Sequence, residues 1–387
     1  MVLREIYCYL SDAMKDNNLT AKVAQSLVFL FGLWDLYSFE LGIRPLDFVG
    51  FFLTLFLVYQ SAKNRGLKFS KREVLVLFGF VGWAVIYGFF GLNNSEVNLK
   101  LVIGFFGGVI LFLSIYFISI PKEILLKPID LFISANIFVV IVQTVLHYSV
   151  NILFHPFIFF GLEPRSLGEI FRPCGLALEP ASYSLTTLML LSIRRTSGWD
   201  KDTLFWCAII SVLLTFSFWG VIASILFSSI IVFRSRLEKS YLAFTLVFGL
   251  LIVLPKDAIP EDINNWIRNR VENIADDNSA MDRYTVLLSQ NLSFSIMDIC
   301  FGYGISNDYH RFGSNGGAFL FNAGGIFGCI LFSMLIFSLQ RVKLEMSKVF
   351  IVVLFLTAAP LWNTLIWWFW LAIFLTINKP INKVNPK

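Results

Sequence analysis

Charge is scarce in this sequence. Asp, Glu, Lys and Arg make up 15% of the 387 residues, and 57% of the chain is hydrophobic. Ordinary soluble domains carry about a quarter charged residues. A water-soluble core cannot take up this much apolar sequence, so the composition excludes a typical soluble enzyme. Histidine is rare, with three in the chain, and the five cysteines (Cys8, Cys174, Cys207, Cys300, Cys329) fall at no metal-ligand spacing. There is no Walker sequence, no dinucleotide fingerprint and no Ser-His-Asp arrangement at a useful spacing. The chain therefore has no visible means of consuming ATP. The net charge of +5 is divided among short clusters between apolar runs, which argues against a nucleic-acid-binding face. The polar stretch up to Lys22 does not have the form of a cleavable signal peptide, so the first apolar run is expected to stay as an anchor.

What is abundant is apolar runs of spanning length. They lie at 23–40, 45–61, 73–92, 99–120, 129–148, 174–193, 203–217, 218–233, 240–255, 316–340 and 348–378. The stretch 203–233 is too long for one span, and Ser217 to Gly220 is expected to turn between two. The last run carries Pro360 and divides into 348–360 and 361–378. The fold expected is an all-α polytopic integral membrane protein, a single transmembrane domain over 1–387. It has about twelve transmembrane helices and one large external (periplasmic) loop at 256–315. Of the 31 Lys and Arg residues, 22 fall on one side of this arrangement and nine on the other. The richer side is cytoplasmic by the positive-inside rule. Both termini then lie in the cytoplasm of a bacterial inner (plasma) membrane. Cys174 and Cys300 fall in the external connections, and two unrelated thiols are favoured over a bridge.

The external segments hold the residues that could carry chemistry. In Arg172-Pro173-Cys174-Gly175-Leu176-Ala177-Leu178-Glu179-Pro180, Pro173 suits the first turn of a helix. Pro180 should then kink or break that helix near Glu179. A carboxylate at this depth needs a partner or a function, and a broken helix frees backbone groups that must line a cavity. The rival reading is that Glu179 pairs with an arginine and holds two helices together. The large loop carries five basic residues against nine acids. It is no electrostatic sponge for anions, so any phosphate must be held by individual arginines. Its first part has helical spacing through Ile263, Trp266, Ile267, Val271 and Ile274, and a second helix is expected from Ser279 to Met297. His310 is placed to act as a general base. His147 shares a helical face with Asn136 and Gln143, a stripe read as helix–helix glue. His155, followed by Pro156, shows no evident partner. Asp35 and Glu40 are read as structural partners of Arg44. Gly104/Gly108 and Gly324/Gly328 suit close helix packing.

Arg172-x-x-Gly175-x-x-x-Glu179-Pro180 at the head of a span resembles a signature of the O-antigen polymerase (Wzy) and O-antigen ligase superfamily. Leu214-Thr215-Phe216-Ser217 is similar to a second element of that family, and Asp282-Arg283 to a third. Gly302-Tyr303-Gly304, Ser314-Asn315 and Gly324-Gly325-Ile326-Phe327-Gly328 together resemble a fourth. The order of the elements and the large external loop match as well, over roughly 170–330; the first 150 residues match in hydropathy alone. Two positions depart from the pattern. The ligases place a histidine directly before the asparagine of the fourth element, where this chain has Ser314. The second element usually carries an arginine after its serine, where this chain has Phe218.

The resemblance implies a glycosyltransferase of lipopolysaccharide and polysaccharide biosynthesis at the outer face of the inner membrane. Its donor would be a glycan on undecaprenyl pyrophosphate, and its acceptor a hydroxyl of a second lipid-linked repeat unit. The missing histidine favours a polymerase over a ligase. A lipid-linked oligosaccharide flippase or other transporter is the alternative from another class, though it should show repeat symmetry between two halves. The expected site consists of His310 and Glu179 as catalytic groups. Arg172, Arg283, Arg311 and Asn315 are expected to bind substrate. No metal or cofactor is expected. The expected partners are the undecaprenyl-pyrophosphate-linked oligosaccharide and the lipid bilayer, with a chain-length regulator left open and nucleic acid excluded.

Overall fold

The structure is a computed structural model. It describes residues 22–31, 45–65, 99–118, 122–157, 166–167, 170–177, 179–198, 202–217, 296–302, 321, 324–333 and 365–376, much of 220–228 and isolated helical residues between 74 and 85. The expected spans at 240–255 and 348–360 lie outside the described residues. So do most of the large loop and Asp35, Glu40, Arg44, Arg283, His310, Arg311 and Asn315.

The described residues are predominantly helical. The helices are α1 (Lys22–Phe31), α2 (Pro45–Arg65), α3 (Leu99–Ile118), α4 (Lys122–Val150), α5 (Pro180–Thr196), α6 (Thr203–Leu214), α7 (Ile296–Phe301), α8 (Gly324–Ser333) and α9 (Leu365–Thr376). One minimal hairpin interrupts them, β1 (Ser166–Leu167) antiparallel to β2 (Ile170–Phe171), with Ser166 opposite Phe171.

Of these helices α4 is long and apolar enough, over Ile124–Val150, to cross a membrane. At 27 residues and about 1.5 Å per residue it reaches roughly 40 Å, against about 30 Å of hydrocarbon. Leu131, Phe138, Ile141 and Val145 are exposed along it, so a large apolar face has no cover among the described residues. Asn151 ends the helix in the left-handed region at φ 53°. There its N–H donates to the His147 carbonyl (2.9 Å) and that of Ile152 to the Leu146 carbonyl (3.2 Å).

Two groups of helices pack around the core. In the first, α9 lies along α3 and also meets α2 and α5. Trp368 inserts between Phe105 (5.7 Å) and Phe112 (6.0 Å), over the face of Gly108, where any side chain would collide with its ring. Gly108 thus has the close-packing role expected of it. Phe369 lies against Phe31 at 4.3 Å. In the second group, α4, α5 and α6 pack on one another. Helix α5 is buried from Tyr183 through Arg194, on every face, so it is the central helix of the described structure.

The two expectations about helix ends are corrected. The span expected at 174–193 begins six residues later, because Pro180 opens α5 at its first turn instead of interrupting an earlier helix. Residues 172–177 form a loop, not the first turns of a span. Helix α6 stops at Leu214, and Phe216 takes a left-handed conformation (φ 48°). Ser217 then caps the next helical stretch, accepting from the Gly220 N–H at 3.3 Å. The expected turn between two short helices exists, but it lies over Thr215–Ser217.

Candidate functional site

The loop from Arg172 to Glu179 joins β2 to α5, and it is held from outside itself. Gln143 of α4 turns its amide into the loop. Its Oε1 accepts from the N–H groups of Cys174 (3.0 Å) and Gly175 (2.9 Å), and its Nε2 donates to the Gly175 carbonyl (3.2 Å). Asn136, two turns earlier on the same face, accepts from the Leu176 N–H at 3.0 Å. Both side chains are buried. Buried backbone groups that lack strand or helix partners need such acceptors. The stripe read as helix–helix glue therefore binds the backbone of a loop, not a second helix.

Gly175 makes the fit possible. Its φ is +62°, and a Cβ there would lie 2.7 Å from the Tyr183 ring and 2.8 Å from Asn136 Oδ1. Only glycine combines that backbone with that proximity at low cost. Cys174 is buried, and neither it nor Cys300 is in a disulfide.

His155 closes the far end of the loop. It is 1% exposed. Its Nδ1 accepts from the Phe157 N–H (3.2 Å), so the proton of the neutral ring resides on Nε2, which donates to the Ala177 carbonyl at 3.1 Å. The expectation that His155 lacks a partner is thereby overturned. Burial pushes its pKa below the ordinary value, opposed by the bond to Ala177. His147 stacks flat on Phe171 (4.3 Å, 16° between planes), at the residue before Arg172.

Arg172 and Glu179 are half-buried at the two ends of this loop. Glu179 occupies the N-cap of α5 in an extended conformation, and its backbone carbonyl accepts from the Tyr183 N–H at 3.0 Å. The structure therefore brings these two predicted residues to one loop; the other four lie outside the described residues.

The start of α5, directly after the loop, also meets α6 and the turn that follows it. Tyr183 Oη and Ser211 Oγ are hydrogen-bonded at 2.6 Å, and Ser184 Oγ lies 3.2 Å from Thr215 Oγ1. Gly220 packs directly on Ser184. The start of α5, directly after Arg172–Pro180, thus packs on Leu214–Ser217 through Ser184 and Thr215, 31 residues apart in sequence. A second pair of segments also meets. Gly325 (φ +59°) lies against the backbone of Ile299 and Cys300, and Phe301 lies 5.9 Å from Phe327.

At the opposite end of α4 and α5 is a charge cluster that sequence reading missed. Arg194, 1% exposed, donates from Nε to Asp130 (2.5 Å) and from Nη2 to Asp202 (2.7 Å). Its Nη1 also donates to Asp202 at 3.1 Å. Asp202 caps α6 at the same time, accepting from the Phe205 N–H at 2.9 Å. Arg194 is one of the 22 basic residues on the richer side, and the signal available was a charge at the end of an otherwise apolar helix.

Among the described residues no cluster of three or more His, Cys, Asp or Glu side chains suits a metal ion. No protein-family model matches the chain, and no curated protein matches it either.

Proposed function

We propose that the chain is a multi-pass inner-membrane polysaccharide polymerase of the O-antigen polymerase (Wzy) kind. It would join undecaprenyl-pyrophosphate-linked repeat units on the periplasmic face. The observation that carries this reading is that the start of α5, directly after Arg172–Pro180, is joined to Leu214–Ser217 through Ser184 and Thr215. Those two segments are the first two elements in which the sequence resembles that family, and a shared site requires them to be neighbours. The length of α4 and its exposed apolar residues support the membrane setting. About twelve spans with both termini cytoplasmic is the topology that accompanies it.

In the proposed step an acceptor hydroxyl oxygen forms a bond to the anomeric carbon of the donor. The bond from that carbon to the undecaprenyl pyrophosphate oxygen breaks, and the leaving group takes the electron pair. The hydroxyl proton passes to a base, for which Glu179 and His310 are the candidates. Arg172, with Arg283 and Arg311, stabilises the pyrophosphate charge, and Asn315 contacts the glycan. The donor bond is already activated, so the step needs no ATP.

The test is the surface glycan of a deletion strain complemented with variants. A single repeat without a ladder supports a polymerase. Complete loss of glycan transfer to its final acceptor means a ligase, and lipid-linked repeats accumulating on the cytoplasmic side mean a flippase. Arg172→Lys keeps the charge but not the planar fork. It should leave mostly single-repeat glycan at normal protein levels, a loss of about 3 kcal/mol of transition-state stabilisation. A normal ladder with that variant refutes the site assignment.

A further inference from the structure

Three side chains outside the Arg172–Glu179 loop hold its backbone, and they differ in one respect. Asn136 and Gln143 carry amides, which do not titrate. His155 carries an imidazole, and both of its nitrogens are committed in opposite senses, Nδ1 as acceptor and Nε2 as donor. That pattern exists only in one neutral tautomer. A proton arriving at Nδ1 sets an N–H against the Phe157 N–H, two donors across 3.2 Å. It also places a cation at a position 1% exposed.

We propose that His155 is a pH-sensitive latch and positioning residue for the loop. Neutral, it ties the connection after α4 to Ala177 and fixes the loop; protonated, it keeps the Nε2 donor but loses the Phe157 N–H bond and becomes a buried cation, and the ring leaves its seat for water and releases that end. The titratable groups on the surrounding elements are His147 and Tyr148 at the end of α4, Arg172 and Glu179 on the loop, and Tyr183 on α5. The Phe157 and Ala177 backbone groups, not these side chains, set the polarity of the His155 site. The consequence for glycan transfer rests on the functional reading above. The latch itself does not.

Cys174 is the reporter, since it lies in the loop and is fully buried. The full-length protein with its other four cysteines changed to serine is reconstituted in lipid nanodiscs and treated with a maleimide between pH 5 and 8. Rates are divided by those of the detergent-unfolded protein at the same pH, which removes the ordinary thiolate dependence. Protection at pH 8 should fall by about tenfold at acid pH, the factor linkage gives per pH unit of proton uptake. His155→Gln can still donate to the Ala177 carbonyl but cannot titrate, so Cys174 should stay protected throughout. Equal protection of the parent protein at pH 5 and 8, or the same acid loss in His155→Gln, overturns the proposal. The first of these outcomes does not depend on any change at His155. In a polymerisation assay His155→Gln should remove the acid limb of the rate profile. Absence of polymerisation alongside an intact labelling pattern would count against the functional reading and leave the latch standing.

Discussion

Arg194 is the described group whose removal should be felt most. It is 1% exposed, while the Asp130 and Asp202 side chains are 25% and 47% exposed. Arg194→Met keeps most of the volume and removes the charge. Breaking a buried ion pair by deleting one partner costs about 3–5 kcal/mol, chiefly because the remaining charge is stranded. Here the stranded groups are carboxylates that reach water, and exposed pairs are worth about 1 kcal/mol or less. The expected loss is therefore about 2–3 kcal/mol, below the fully buried case. Asp130→Asn and Asp202→Asn should each cost less, since Arg194 keeps one carboxylate. Removing both should cost more than the sum, because a guanidinium buried without a counter-charge has no route to water. The assay is thermal or steric-trap unfolding in detergent or bicelles, run as a double-mutant cycle on Arg194 and Asp130. A coupling energy near 2 kcal/mol is expected for groups in direct contact. Coupling within about 0.5 kcal/mol of zero would refute the reasoning and reduce the cluster to a surface ion pair.

Gly175→Ala should destabilise the loop by about 2 kcal/mol or more, since it adds left-handed strain to a collision with Tyr183 and Asn136; faster maleimide labelling of Cys174 at pH 8 is the measurement. Gln143→Leu strands three backbone groups of the loop, a larger effect than Asn136→Leu, which strands one; hydrogen exchange at Cys174, Gly175 and Leu176 should rank them in that order. The Asp202 carboxyl is held below its ordinary value by Arg194 and by the Phe205 N–H. A depressed acid stabilises above its unfolded pKa and loses that contribution as pH falls through the folded value, so unfolding should become easier in acid below about pH 3.8, and Asp202→Asn should flatten that decline. Asp202→Ala should cost about 1 kcal/mol more than Asp202→Asn, because the amide oxygen can still cap α6.

Elements whose signal is local were legible in the sequence. Apolar runs located α2 and α3 to within a few residues, because a long apolar run leaves little choice of secondary structure, while α4 begins seven residues before its expected run. The excess length of the apolar run 203–233 gave away the break after α6, though not its place over Thr215–Ser217. The head of α5 was misplaced because Pro173 and Pro180 are both acceptable at a helix start. What decided between them was Gly175, whose left-handed backbone is selected by Tyr183 and Asn136, forty and more residues apart. The role of Asn136 and Gln143 was half legible. Their spacing put them on one face, but nothing in it distinguished a helix from a loop as the partner. His155 was unreadable for the same reason, since its acceptor is a carbonyl 22 residues away.

Helix α4 connects these facts. Asp130 near its start engages the Arg194 cluster, and Gln143, thirteen residues on, engages the loop; about 1.5 Å per residue puts some 20 Å between them. Helix α5 runs back between the same two points, from Glu179 at the loop to Arg194 at the cluster. The two helices are thus pinned to each other by polar contacts at both ends and by apolar packing between. In lipid, apolar faces give little preference for one register over another, since hydrocarbon surrounds them on every side. Directional polar contacts supply it. The cluster at one end sets how far α5 slides along α4, and so sets where Pro180 and Glu179 present the loop to Gln143. A variant that weakens the cluster, such as Asp130→Asn, should therefore loosen Cys174 at the far end as well. If Cys174 labelling is unchanged while unfolding becomes easier, the two ends are independent and the register argument fails.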